Sequence, residues 1–183
     1  RRLIISASRR TDIPNYYSDW FYNRIKEGFV YVRNPMNIHQ ISKIALTPDV
    51  VDGIVFWTKN PFPMLDRLDE LSEYIYYFQF TLNSYGKDVE PNVPSKSEIV
   101  IPTFQKLSQK IGKEKVVWRY DPILINENYT IEYHLKYFKM LVDKLAGYTE
   151  KCTVSFLDLY KNTQQNTASL KIINPSFQQK EEL

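Results

Sequence analysis

The sequence predicts an α/β fold: a partial TIM-like (β/α) barrel with mostly parallel strands and a β-hairpin insertion near residues 29–46. Three observations predict it. Five short runs are continuously apolar, which is typical of strands buried on both faces of a parallel sheet. Segments with helical periodicity lie between several of these runs, as in βαβ units. Finally, polar residues follow each run, at the position where barrel enzymes place their ligand groups.

The five predicted strands share one pattern, in which an apolar run ends in polar residues and often in proline. Proline cannot donate to the ladder and holds the preceding residue extended, so it marks the end of a strand. The runs are Leu3–Ser8, Gly53–Trp57, Tyr76–Phe80, Lys115–Trp118 and Cys152–Phe156.

Four helices are predicted between the strands. The first begins at Ser18 and ends at Gly28, because serine suits a helix N-cap and glycine suits the residue that ends a helix. The helix Thr130–Ala146 has the clearest apolar stripe at helical spacing, and Gly147 closes it. The other two are Pro63–Leu71 and Ser97–Ile111.

Two segments depart from the alternation of strands and helices. Phe29–Arg33 and Gln40–Leu46 both have strand composition, and the turn-forming residues Asn34–Asn37 lie between them. This arrangement predicts a hairpin, although Phe29–Arg33 also fits a barrel strand. The segment Asn83–Pro94 is rich in turn formers, and we expect this loop to cover a site.

The chain has 183 residues, of which 43% are hydrophobic, so it is long enough for one folded core. We predict a single α/β barrel-like domain over residues 1–183. Because a complete barrel takes about 250 residues, we expect this domain to be the N-terminal part of a longer protein. No run reaches the roughly 18 apolar residues of a membrane helix, so we expect no membrane partner and a cytoplasmic protein.

Composition also limits the chemistry. The net charge of +3 is compatible with an anionic ligand and is weak evidence for nucleic acid. The single cysteine, Cys152, excludes an internal disulfide and a multi-cysteine metal site within these residues. His39 and His134 are far apart in sequence, and His134 lies on an apolar helix face, where packing is the expected role. No metal site is predicted.

The polar strand ends supply the candidate site. Arginine binds phosphate or carboxylate through two parallel hydrogen bonds, so the cations at these ends predict an anionic substrate. The candidate catalytic residues are Asp12 and Asp121, as acid–base carboxylates, and Lys59, as a point charge or a base. The candidate substrate-binding residues are Ser8, Arg9, Arg10, Thr58, Asn60, Asn83, Arg119 and Asp158.

Each of these residues also has a purely structural interpretation. The Asn-Pro and Asp-Pro pairs that end two strands are ordinary turn formers. Arg9 and Arg10 are equally consistent with an exposed surface pair. For Arg119 the structural alternative is an ion pair with Asp121 or Asp158. The set as a whole is therefore a stronger indication of a site than any one member.

Five motifs, "ISASRRTDIP", "YVRNP", "DGIVFWTKNP", "FQFTLN" and "VWRYDPI", give the sequence a family resemblance. It resembles a family of bacterial proteins known as a domain of unknown function, DUF1848, over nearly the whole chain. That family is similar to radical S-adenosylmethionine enzymes, and its full-length members carry a C-terminal cysteine cluster like those that bind [4Fe–4S]. The resemblance therefore implies both cofactors for a full-length protein and none within this chain, which lacks that cluster.

Three function hypotheses remain. The leading one is the barrel portion of a radical S-adenosylmethionine-like enzyme acting on an unknown anionic substrate. The second is a metal-free or carboxylate-metal barrel enzyme acting on a phosphorylated or sugar-like substrate. The third is a nucleic-acid-binding module, suggested by the basic balance and the aromatic content. A small anionic molecule is the expected partner, and nucleic acid is the less favoured one.

Overall fold

A computed structural model describes residues 3–7 and 10–157 of the chain. The chain divides into two compact units, Arg1–Phe80 and Thr81–Leu183, called here the N-terminal and the C-terminal unit. Three of the predicted substrate-binding residues, Ser8, Arg9 and Asp158, lie outside the described residues.

The N-terminal unit is organised around parallel strands. Strand β1 (Ile4–Ala7) pairs in parallel with β4 (Gly53–Thr58), and β4 pairs in parallel with β5 (Tyr76–Thr81). Every second residue of β4 and β5 is buried, and the fully buried rings of Phe56 and Phe78 stack with centroids 4.8 Å apart. These aromatic contacts tie the two strands together along one face of the sheet.

Helices cover these strands. The single turn α1 (Ile13–Tyr16) leads into α2 (Ser18–Glu27), and a 3₁₀ helix spans Phe62–Leu71. In α2 the Tyr22 hydroxyl donates a 3.0 Å hydrogen bond to the Met64 carbonyl, so the helix is fixed to the 3₁₀ segment. Ser18 is the first residue of α2 rather than its predicted N-cap, because Tyr17 occupies that position.

The predicted hairpin is present. Strands β2 (Phe29–Asn34) and β3 (Asn37–Ala45) pair antiparallel and form a two-stranded sheet of their own. The Asn34 side chain accepts from the Met36 N–H at 2.9 Å, which is the turn chemistry that asparagine favours. His39 is exposed within β3.

The C-terminal unit combines two parallel strands with two helices. Its elements are β6 (Val116–Ile123), β7 (Cys152–Phe156), α3 (Ile101–Ile111) and α4 (Ile131–Leu145), with a π-helical turn Lys96–Val100 before α3 and a 3₁₀ turn Lys113–Lys115 after it. Thr130 caps α4 by accepting from the Tyr133 N–H at 3.1 Å. The rings of Trp118 and Phe138 stack at 5.1 Å, which packs α4 on β6.

The fold is therefore mixed α/β, and all five predicted strands are present. Strands β1, β4 and β5 are neighbours in the N-terminal unit, and β6 and β7 are neighbours in the C-terminal unit. A closed barrel and a single domain stay predictions. Across residues 3–7 and 10–157, no helix has the length and apolar content needed to cross a membrane.

Gly28 offers a test of how α2 ends. It has a φ of +84° and its N–H bonds to the Arg24 carbonyl, so any side chain there adopts a left-handed conformation. We expect Gly28→Ala to lower the free energy of unfolding by about 1–2 kcal/mol, measured by urea denaturation. The matched control is Gly53→Ala, where an added Cβ meets only ordinary contacts. Equal losses in the two variants would contradict this explanation.

Candidate functional site

In the N-terminal unit the predicted site residues meet at the Asp12 carboxylate. It accepts hydrogen bonds from the Thr58 hydroxyl at 2.7 Å, the Lys59 N–H at 2.8 Å and the Asn15 N–H at 3.1 Å. Asp12 also caps α1. The segment after β1 is thereby fixed to the end of β4, as expected for neighbouring parallel strands that end at one edge of a sheet.

Asn60 completes this arrangement. Its N–H donates to the Thr58 hydroxyl at 3.0 Å, and its side-chain amide donates to Asn15 at 3.4 Å. Thr58 and Asn60 are buried, whereas the side chains of Arg10 and Lys59 are exposed. The buried members hydrogen-bond one another, so their arrangement also matches the turn interpretation of the Asn-Pro pair.

Burial has a direct effect on Asp12. It raises the pKa of this carboxyl above its ordinary value of 3.8, and the three hydrogen bonds that favour the charged form only partly offset that effect. A carboxyl with a raised pKa is suited to acid–base work. The same property gives a test of whether the carboxyl is buried in solution.

In the C-terminal unit, Arg119 and Asp121 form the ion pair that was the structural alternative for this arginine. The Arg119 Nη2 lies 2.6 Å from Asp121 Oδ2, and its Nε lies 3.3 Å from Oδ1. Ser155 donates a further hydrogen bond to the same carboxylate at 3.2 Å. The Asp121–Pro122 peptide bond is cis. An anion that bound the fork of Arg119 would compete with Asp121.

Asn83 lies next to this pair and is 2% exposed. Its Nδ2 donates to the Asp121 carbonyl at 2.9 Å and to the Glu90 carboxylate at 3.4 Å. Within the part of the chain that the structure describes, its Oδ1 has no hydrogen-bond partner. Because a buried amide oxygen without a partner costs free energy, this oxygen is a candidate acceptor for a bound molecule.

Asn83 lines a cavity of about 350 Å³, called here the loop cavity, and the segment 83–97 forms much of its wall. The buried Glu90 carboxylate pairs with the Lys96 ammonium group at 2.6 Å. Lys96 also donates to the Tyr85 carbonyl at 2.5 Å, and Lys87 donates to the Val93 carbonyl. Sequence reasoning expected this loop to cover a site but missed Glu90 and Lys96, which no motif distinguishes from other loop charges.

A second network starts at Ser84, which also lines the loop cavity. The Ser84 hydroxyl lies 2.7 Å from the Tyr120 hydroxyl, and that hydroxyl lies 2.7 Å from His134 Nδ1. His134 Nε2 lies 2.8 Å from the Leu124 carbonyl. His134 is fully buried, in agreement with its expected packing role, and burial lowers its pKa.

The described residues offer few side chains that could bind a metal ion. Over the described residues, no group of three or more His, Cys, Asp or Glu side chains is placed to hold a metal ion. Cys152 is partly buried, and burial raises the pKa of its thiol to about 11, so it stays protonated at neutral pH. One protonated thiol does not fit a [4Fe–4S] cluster, which is held by several thiolates.

These features define an α/β protein with a cavity in its C-terminal unit, lined by a buried ion pair and by Asn83, whose amide oxygen has no hydrogen-bond partner among the described residues. The chain belongs to the family described as Domain of unknown function (DUF1848), whose model matches residues 4–183. The family resemblance of the sequence motifs is therefore confirmed. Comparison with curated proteins found no match, and comparison with solved structures found none either.

The raised pKa of Asp12 predicts a pH effect on stability. Between the ordinary value of 3.8 and the higher pKa in the folded protein, the folded state holds a proton that the unfolded state has lost. The free energy of unfolding of the wild type, relative to Asp12→Asn, should therefore fall as pH rises through this interval and then level off. Urea denaturation at successive pH values measures it.

The control for this test is Asn60→Ala, which disrupts the same turn without removing a titratable group. Its difference from the wild type should stay constant across the same pH range. A flat difference for Asp12→Asn would show that the carboxyl is not buried as described.

The Glu90–Lys96 pair predicts a strong coupling. Lys96→Met leaves the Glu90 charge buried without its ammonium partner, so we expect a loss of about 3–5 kcal/mol. The additional change Glu90→Gln should restore part of that loss. The exposed pair Arg67–Glu70 is the matched control, because such pairs contribute at most about 1 kcal/mol. A double-mutant cycle that gives the two pairs equal coupling would contradict the burial of Glu90.

Proposed function

We propose that this chain supplies the substrate-binding part of an enzyme that acts on a small anionic molecule, and that the loop cavity binds this molecule. The observation that carries the proposal is that Asn83, a residue of the cavity wall, has a buried Oδ1 with no hydrogen-bond partner among the described residues. A polar atom in this state is expected where a ligand supplies the missing hydrogen bond. Asn83 was also among the substrate-binding residues predicted from sequence.

The composition of the cavity supports a small organic ligand. Most small-molecule sites are concave, largely apolar and hold a few placed polar groups. Here the apolar part consists of Val93, Pro94, Ile101, Met140 and Leu141. The polar part comes from the loop, and the volume of about 350 Å³ is at the lower end of the range for ligand pockets.

The charges of the cavity support an anionic ligand. Lys87 and Lys96 supply two ammonium groups against the one carboxylate of Glu90. Lys96 is paired with Glu90, whereas Lys87 is exposed and donates to the Val93 carbonyl. An ammonium group has three N–H donors, so Lys87 can bind an anion while it keeps this bond.

The strand-end cations remain a second candidate for the anion site. Arg119 is held by Asp121 through two hydrogen bonds, from its Nε and its Nη2, which makes it a weaker anion receptor than Lys87. Lys59 and Arg10 are exposed in the N-terminal unit. We therefore favour the loop cavity and keep the catalytic roles of Asp12, Lys59 and Asp121 as proposals.

The chemistry class of the proposed enzyme comes from the family. Because DUF1848 resembles radical S-adenosylmethionine enzymes, we keep that class as part of the proposal. A [4Fe–4S] cluster with S-adenosylmethionine would supply radical chemistry, but the residues of this chain do not fit the cluster, and no step is assigned through it. The role proposed for these residues is to bind and orient the substrate and to exclude water.

Anion binding can be tested with benzoate and phenyl phosphate, which join an anionic group to an apolar ring. We expect calorimetric titration to show binding to the wild type, and Lys87→Met to weaken it by about tenfold or more, the scale of one charged hydrogen bond. Lys87→Arg keeps the charge and should retain most of the affinity. The comparison variants are Arg119→Ala and Lys59→Met, which should change the affinity little.

Two results would contradict the proposal. One is loss of binding in Arg119→Ala or Lys59→Met with no effect of Lys87→Met, which would move the anion site to a strand end. The other is absence of binding to both probes together with tight, steeply salt-dependent binding of a single-stranded oligonucleotide, which would favour the nucleic-acid-binding hypothesis.

A further inference from the structure

The network of Ser84, Tyr120 and His134 ends at the Leu124 carbonyl. The hydrogen positions along the network follow from this end. The Leu124 carbonyl can only accept, so His134 Nε2, 2.8 Å away, carries a hydrogen. The contacts of His134 among the described residues are this carbonyl, the Tyr120 hydroxyl and aromatic rings, with no carboxylate. A buried charge without an opposite charge is costly, so the ring is neutral and its Nδ1 is an acceptor.

The direction of the remaining bonds follows. Because Nδ1 of His134 accepts, the Tyr120 hydroxyl must donate its single hydrogen to it over 2.7 Å. The Tyr120 oxygen then accepts from the Ser84 hydroxyl, also at 2.7 Å. The hydrogen of Ser84 is therefore directed at Tyr120, and a ligand that meets Ser84 in the cavity finds only oxygen lone pairs.

Like Ser84, Asn83 uses its hydrogen-bond donors within the protein. Its Nδ2 faces the Asp121 carbonyl at 2.9 Å and the Glu90 carboxylate at 3.4 Å, which are both acceptors. Rotating the amide by 180° would turn its oxygen toward two acceptors, so the observed orientation is fixed. Its Oδ1, a second acceptor, has no hydrogen-bond partner among the described residues.

We propose that the loop cavity selects anionic ligands that also carry a neutral N–H or O–H donor, which Asn83 Oδ1 and Ser84 Oγ receive, and that His134 sets this selectivity through Tyr120. The inference rests on the proposed function and deepens it by naming the class of substrate. Ser84 and Asn83 contact the ligand, whereas Tyr120 and His134 act as positioning residues.

The charges of the cavity explain why the donor is neutral. Lys87 and Lys96 already place two ammonium groups there, and the one carboxylate, Glu90, is paired with Lys96. A cationic donor would be repelled by these groups, whereas an amide, an aromatic amine or a hydroxyl would not. An unmatched ligand would leave Asn83 Oδ1 without a partner, and polar sites reject analogues for that reason.

Substituted benzoates test this selectivity, because the substituent can be changed while the anion is kept. The donor probes are 3- and 4-aminobenzoate, the size-matched probes without a donor are 3- and 4-methylbenzoate, and the acceptor-only probe is 4-cyanobenzoate. In calorimetric titration we expect the wild type to bind the better aminobenzoate about tenfold more tightly than the matching methylbenzoate. It should bind 4-cyanobenzoate no better than the methyl compounds.

Tyr120→Phe separates selectivity from a structural role. The variant keeps the ring but removes the acceptor of the Ser84 hydrogen, so Ser84 can donate into the cavity. We expect the preference for amino over methyl to fall several-fold, and 4-cyanobenzoate to bind more tightly than it does to the wild type. A network that only stabilises the fold predicts no gain for any probe.

The matched control is Tyr133→Phe. It also removes one hydroxyl, which donates to the Ser84 backbone carbonyl at 2.6 Å, but it leaves the direction of the Ser84 side chain unchanged. Its probe preferences should equal those of the wild type. Ser84→Ala gives a second test if Tyr120→Phe does not fold, since it keeps Tyr120 and His134 and should reduce the amino preference.

The outcomes distinguish the two levels of the proposal. If no benzoate binds, or if binding does not depend on Lys87, the proposed anion site is wrong and this inference falls with it. If the benzoates bind through Lys87 but the wild type does not distinguish amino from methyl, only the inferred selectivity is overturned. Equal preferences in the wild type, Tyr120→Phe and Ser84→Ala would likewise overturn it.

Discussion

In the strand-end region of the C-terminal unit, buried polar groups require hydrogen-bond or ion-pair partners. This requirement determines how the loop after β5 is held. Asn83, buried at the end of β5, binds the Asp121 carbonyl and the Glu90 carboxylate. Glu90 in turn needs the Lys96 ammonium group, because a buried carboxylate is costly without a cation. The loop between residues 83 and 96 is therefore held by a series of required contacts, and it forms the cavity wall together with residues of α3 and α4.

The same requirement gives a different result in the N-terminal unit. The Asp12 carboxylate accepts hydrogen bonds from the Thr58 hydroxyl and from backbone N–H groups. The Asn60 N–H donates in turn to the Thr58 hydroxyl. The hydrogen bonds in that cluster close on one another. In the described part of the C-terminal unit, by contrast, one buried amide oxygen, that of Asn83, has no hydrogen-bond partner. This difference, rather than the number of charges, is why the ligand site is assigned to the loop cavity.

The sequence alone predicted those secondary-structure elements that depend on the residue pattern of one short segment. The five strands and the hairpin follow from apolar runs and turn residues, and the meeting of Asp12 with Thr58 follows from two parallel strands ending together. The Glu90–Lys96 pair and the orientation of Ser84 were not predictable, because they depend on how a long loop folds back. His134 was correctly expected to pack, but its hydrogen bond to Tyr120 is a tertiary contact that helix spacing does not encode.

We propose that the loop cavity binds a small anion that also donates a hydrogen bond. A two-dimensional nuclear magnetic resonance titration with 4-aminobenzoate tests this, when the side-chain amide of Asn83 and the backbone amides of Ser84 and Lys87 are followed. We expect saturable shifts at these three residues and little change at Lys59. Shifts confined to Lys59 and its neighbours, or no saturable shift at Asn83, would contradict it.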